Sequence, residues 1–95
     1  MIKREKRYWI GFDLGGTKML AVVYTDRFKA LGRFRQKSKG AEGAKAGFRR
    51  VVETIRGALA DAKVSPDQLA GIGIAVPGPV NPEKGIVLEM PNLGW

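Results

Sequence analysis

Residues 10 to 20 read IGFDLGGTKML. An apolar run delivers Asp13, then the pair Gly15-Gly16, then Thr17-Lys18, after which the apolar run resumes. Tyr8-Trp9-Ile10-Gly11-Phe12 is a row of β-formers ending at Asp13, and Met19 to Thr25 is a second such row. Two β-rich runs joined by a short glycine-bearing turn predict a hairpin. Asp26-Arg27 closes the second run as a turn. Lys29 to Lys37 (KALGRFRQK) then alternates loosely, with Leu31 and Phe34 as apolar anchors, and reads as a third strand. Connections this short imply an antiparallel meander.

The period then changes. Between Ala41 and Lys63, Phe48, Val51, Val52, Ile55, Leu59 and Ala62 fall at helical spacing on one face. Arg49, Arg50, Glu53, Arg56 and Asp61 fall mainly elsewhere, so the segment predicts an amphipathic helix preceded by a loop over 39–43. Ser65-Pro66-Asp67-Gln68 carries serine, proline and glutamine at capping-box spacing and predicts one short helical turn. Gly71 to Val76 follows as a strand with Ile72, Ile74 and Val76 on one face. The other face holds only glycine and alanine, which lets another chain segment approach closely. A strand, a crossover helix and a strand form a unit whose strands can lie parallel. The remainder, PGPVNPEKGIVLEMPNLGW, is turn-rich, with one short strand-like piece at Gly85 to Leu88. The order is β-β-β-α-β: an α/β fold with a mixed sheet and a helix packed on it.

Composition narrows the function. The 95 residues are 44% hydrophobic, ordinary for a globular chain, and suffice for one small domain or one lobe. Neither cysteine nor histidine occurs, which excludes disulfides, thiol chemistry, a histidine base and the usual zinc ligands within this chain. The formal charge of +8 is scattered over KREKR at 3–7, the segment 27–39, and Arg49, Arg50 and Arg56. It has no regular aromatic interleaving, so it reads as solvated surface rather than a specific nucleic-acid face. No run approaches the ~18 apolar residues of a membrane span, and no apolar stretch follows the basic start as a secretory leader would require. A soluble, cytoplasmic protein is expected. Residues 1–9 read as a basic leader and 10–95 as the first lobe of a longer protein, because Trp95 follows a proline-rich loop with nothing after it to bury the indole.

Two readings fit the glycine pair. Gly15 and Gly16 supply positive φ to a hairpin, with Asp13 and Thr17 as ordinary turn residues. Alternatively, lacking Cβ atoms, they let backbone N–H groups face an anion at close range. Thr17 then adds a hydroxyl donor, Lys18 a charge, and Asp13 a ligand for hydrated Mg²⁺. A Walker A loop and a dinucleotide fingerprint are both absent from this stretch.

Asp13-Leu14-Gly15-Gly16-Thr17-Lys18 resembles the first phosphate-binding loop of the sugar kinase, heat-shock chaperone and actin superfamily, and in its Gly-Gly-Thr-Lys form the ROK family of bacterial sugar kinases and repressors. Gly71-Ile72-Gly73-Ile74-Ala75-Val76-Pro77-Gly78-Pro79-Val80, followed by Pro91-Asn92-Leu93-Gly94-Trp95, is similar to that family's segment leading into its sugar site. The resemblance covers Ile10 to Trp95. It implies a ribonuclease-H-like, actin-like ATPase lobe and transfer of the ATP γ-phosphoryl group to a hexose, in a glucokinase-like reaction. It further implies phosphate binding by Gly15, Gly16, Thr17 and Lys18, with Asp13 at the phosphates or Mg²⁺, Gly78 and Asn92 beside the sugar, and a homodimer. Gly78 as a plain Pro-Gly-Pro turn residue and Asn92 as a turn cap fit equally.

The family's catalytic aspartate lies in an Asn-Asp pair beyond the Asn-Leu-Gly-Trp segment, and its Cys/His zinc motif lies further on. No Asn-Asp pair occurs here, so no catalytic residue is expected in this chain, and the isolated polypeptide is expected to be inactive. Asn81 stands where many relatives have Asp. The alternatives are a ROK-type transcriptional regulator or a non-catalytic sugar-sensing relative. Against the regulator, only nine residues precede the first strand, too few for a DNA-binding domain.

Overall fold

Every second residue from Tyr8 to Leu14 is apolar, which gives this segment one face to bury and one to leave open. The computed structural model describes residues 7–75 in full and residues 80–81 and 86–87 as backbone. Strand β1 (Tyr8–Leu14) pairs antiparallel with β2 (Lys18–Thr25), and β2 with β3 (Ala30–Lys37). Helix α1 (Ala44–Ala62) crosses to β4 (Leu69–Ala75), which runs parallel to β1, so the sheet order is β3-β2-β1-β4. The expected β-β-β-α-β mixed sheet is therefore the observed one. A separate antiparallel ladder joins β5 (Val80–Asn81) to β6 (Ile86–Val87). The strand read at 85–88 thus holds at its centre, and its partner falls in a segment that read only as turn.

The core lies between α1 and one face of the sheet. Ile10, Phe12 and Leu14 of β1 stand opposite Val23, Ala21 and Met19 of β2, and all six are buried against Ala58, Leu59 and Val64. On β3 the same face carries Gly32, Phe34 and Gln36. Leu31, expected to anchor this strand together with Phe34, falls at a register shift and is 39% exposed. Phe34 keeps 42% exposure although its ring covers Gly57 of the helix. The anchoring comes instead from Gly32, which brings β3 against the backbone of Ala62.

Helix α1 starts at Ala44, directly after the expected loop over 39–43. Lys39 in the left-handed region leads into a 3₁₀ turn over Gly40–Glu42, and Gly43 at φ 94° redirects the chain into the helix. The C-terminus closes through Lys63 at φ 56°, with Lys63 N–H donating to Ala60 O and Val64 N–H to Leu59 O. This is a Schellman closure, and Val64 joins Leu59 in the core. The buried stripe includes Gly47, Thr54, Ala58 and Leu59. Phe48, predicted on the buried face, sits one residue (~100°) round from Gly47 and is 69% exposed.

On β4, Ile72 lies beside Ile10 and Ile74 beside Phe12, yet both isoleucines are exposed because α1 packs over β3 and β2. The glycine face of β4 is approached by a side chain: the Trp9 ring covers Gly71, where a Cβ would stand 2.9 Å from Cζ3. Ser65 N–H donates to Gln68 Oε1 at 3.0 Å, the reciprocal half of the expected capping box, over a 3₁₀ turn at Pro66–Gln68.

Candidate functional site

The glycine turn sits at the carboxyl end of β1, next to the carboxyl end of parallel β4, where Asp13 pairs with Ala75. Open α/β sheets bind ligands outside the carboxyl ends of their strands. Pairing of Leu14 with Met19 leaves Gly15 to Lys18 as the turn, closed by Gly15 N–H donating to Lys18 O at 2.9 Å. A Cβ on Gly15 would stand 2.6 Å from that carbonyl oxygen, so glycine is required there for space. Handedness is not the reason, because among the described residues the positive-φ glycine is Gly43.

The Gly15 amide is engaged inside the turn and is not available to a ligand. The amides of Gly16 and Thr17 are different: among the described residues, none accepts a hydrogen bond from either. The Thr17 and Lys18 side chains are exposed, as is Asp13. Asp13 and Lys18 both lie on the sheet face away from α1, since Asp13 pairs with Leu20 and Lys18 follows Leu20's parity. The turn therefore gathers two N–H donors without acceptors among the described residues, a hydroxyl, an ammonium and one carboxylate at a single strand tip. That set suits a phosphorylated ligand.

Beneath the turn is a buried polar layer that the sequence did not signal. Ser38 is fully buried; its N–H donates to Thr17 O at 2.8 Å and its Oγ to Gly15 O at 2.6 Å. Arg50 Nη1 donates to Ser38 O at 3.2 Å, and Arg50 Nη2 contacts Glu42 Oε1 at 2.5 Å. Gln36 Nε2 donates to Arg50 O at 2.8 Å and to Thr54 Oγ1 at 2.6 Å. No motif joins Gln36, Ser38, Arg50 and Thr54 in the sequence; the strand-to-helix crossover brings them together.

Gly78 and Asn92, the expected sugar-side residues, lie outside the described residues. Among the described residues no three His, Cys, Asp or Glu gather as a metal cluster. A single exposed carboxylate such as Asp13 matches the way Mg²⁺ is held by one or two carboxylates plus substrate phosphates. No helix among the described residues is long and apolar enough to cross a membrane.

The fold is that of a ribonuclease-H-like, actin-like ATPase lobe. The chain belongs to the ROK family, whose sequence profile matches residues 9–95. It is 22% identical over 89 residues to a glucokinase of Halalkalibacterium halodurans, covering 94% of this chain and 27% of that protein. Among solved structures it is similar to a ROK hexokinase from Thermus thermophilus (TM-score 0.78, 28% identity, 92% of this chain and 27% of that one). It is similar also to a ROK family glucokinase from Streptomyces griseus in complex with glucose and AMPPNP (TM-score 0.75, 27% identity, 93% of this chain and 26% of that one). The chain thus spans about a quarter of the length of these relatives. These relatives are sugar kinases, while the family also includes non-enzymes.

Proposed function

We propose that this chain is the phosphate-binding lobe of an ATP-dependent hexose kinase, glucokinase-like in its reaction. The observation that carries the reading is the Gly16 and Thr17 N–H pair, without acceptors among the described residues, at a strand tip that also bears Thr17, Lys18 and Asp13. The similar Streptomyces griseus glucokinase, with glucose and AMPPNP bound, supports ATP and a hexose as the ligands.

In this reading the amides of Gly16 and Thr17 and the Thr17 hydroxyl bind phosphate oxygens, and Lys18 offsets their charge. Phosphoryl transfer is carried mostly by such positioning and electrostatic stabilisation. Asp13 would hold Mg²⁺, which when bound neutralises charge on the phosphates. Gly78 and Asn92 take the sugar side. The carboxylate that orients the attacking hydroxyl is assigned outside these 95 residues, because no Asn-Asp pair occurs in them. Residues 10–95 constitute the lobe and 1–9 a basic leader; the complete enzyme is dimeric and cytoplasmic.

The test is a titration of the ¹⁵N-labelled chain with Mg-ATP. The amide signals of Gly16, Thr17 and Lys18 are expected to shift, while that of Gly15, engaged with Lys18 O, moves least. Unmoved signals across the turn at millimolar nucleotide would refute the assignment. With glucose added, the isolated chain is expected to produce no ADP. Turnover at an ordinary kinase rate would show that the orienting carboxylate lies within it.

A further inference from the structure

We propose that Ser38 is a positioning residue for the Gly15–Lys18 turn, clamping two of its peptide planes from beneath, and that Arg50 braces the clamp. The inference rests on the reading of this turn as a phosphate site, and it adds what sets the direction of its Gly16 and Lys18 amides.

Peptide geometry carries the step. In a trans peptide the carbonyl oxygen and the following N–H point to opposite sides of the chain, and no cis bond occurs among the described residues. The Ser38 hydroxyl holds Gly15 O at 2.6 Å, which turns the Gly16 N–H away from Ser38. The Ser38 N–H holds Thr17 O at 2.8 Å, which turns the Lys18 N–H away likewise. One fully buried residue therefore fixes alternate peptide planes of the turn. Its own carbonyl is fixed by Arg50 Nη1, and the helical turn carrying Arg50 is tied to β3 by Gln36 through Arg50 O and Thr54 Oγ1. Every buried side-chain polar atom among the described residues is satisfied, so the layer holds a single arrangement. Donors oriented before a ligand arrives need no reorganisation on binding.

The clamp is tested on the full 95-residue chain with Ser38→Ala, which removes the hydroxyl but keeps the N–H bond to Thr17. Without ligand, exchange of the two bonded amides at the turn, Gly15 (to Lys18 O) and residue 38 (to Thr17 O), is expected to accelerate about tenfold, the effect of losing one buried hydrogen bond. Exchange at Val23, in the core of β2, stays as in the parent chain. Arg50→Met keeps Ser38 intact and removes its brace together with the bonds to Lys39 O and Glu42; a smaller acceleration at the same two amides is expected. Inorganic triphosphate with Mg²⁺ is then titrated against each form. Its affinity is expected to fall about tenfold in Ser38→Ala and to be unchanged in Val51→Ala, which thins the core without touching the clamp. Unchanged exchange at Gly15 and residue 38 in both variants overturns the inference, whatever triphosphate does. Equal triphosphate affinity in Ser38→Ala and parent overturns the link from clamp to ligand. If the parent chain binds no triphosphate, the phosphate reading of the turn fails, and exchange alone decides whether Ser38 positions it.

Discussion

Gly32 is where β3 meets the C-terminal end of α1 backbone to backbone. A Cβ at this position would stand 2.5 Å from the Ala62 nitrogen and 2.8 Å from both its Cα and its Cβ, where ordinary contact begins at 3.4 Å. Gly32→Ala therefore requires about 1 Å of separation between strand and helix, and a close-packed interior resists it. The neighbouring bond fails first. Arg33 N–H donates to Asp61 Oδ2 at 2.9 Å, and a 1 Å opening takes it beyond hydrogen-bond reach. Overpacking costs about 1–3 kcal/mol, and the lost bond, exposed but made to a charged acceptor, about 1 kcal/mol more. In a chain this short each kcal/mol lowers the melting temperature by about 4–8 °C. A fall of about 10–30 °C is expected by circular dichroism, with the urea midpoint reduced and its slope kept. Adding Ala62→Gly removes the 2.8 Å Cβ contact but leaves the backbone contacts at 2.5 and 2.8 Å, so it recovers less than half of the loss. Gly32→Ala as stable as the parent, or full rescue by Ala62→Gly, would refute the backbone-contact account.

Gly15→Ala places a Cβ 2.6 Å from Lys18 O, so the turn must open; about 1–3 kcal/mol of stability and the Mg-ATP shifts at Gly16 and Thr17 are expected to be lost together, read by urea titration and NMR. Thr54→Val removes a fully buried hydroxyl that accepts from Gln36 and donates to Arg50 O, and equilibrium unfolding should show a loss of about 1–3 kcal/mol. Ile74→Ser, at a residue 55% exposed, should change stability by less than about 0.5 kcal/mol, while Phe12→Ala, beside it in the sheet but 3% exposed, should lose about 3–5 kcal/mol.

Features written in local sequence and features set by distant residues part company in this fold. The hairpin, the third strand and the helix are written in short-range periodicity, and their order recovered the fold. The glycine pair marked the turn proposed here to bind phosphate, because it places a carboxylate, a hydroxyl and an ammonium together between two β-runs. Periodicity failed where an apolar residue sits near, but not on, the buried stripe. Phe48 and Leu31 carry the right chemistry at the wrong angle or register. In their place Gly32 and Thr54, unremarkable as letters, occupy the contact surface. The assumed role of Gly15 shifted as well: its glycine is needed for clearance from Lys18 O, and its amide serves the turn rather than a ligand.

By itself, then, the sequence determined the element order, the family resemblance and the strand tip where chemistry is concentrated, because each depends on residues within a few positions of one another. Only the tertiary structure decided which amides at that tip find an acceptor among the described residues and what holds the turn in place. Ser38 is 23 residues from Gly15, and Arg50 is 12 from Ser38. Hydrogen bonds across such separations form when α1 folds back over the sheet, and no local spacing of residue types encodes which partners will meet.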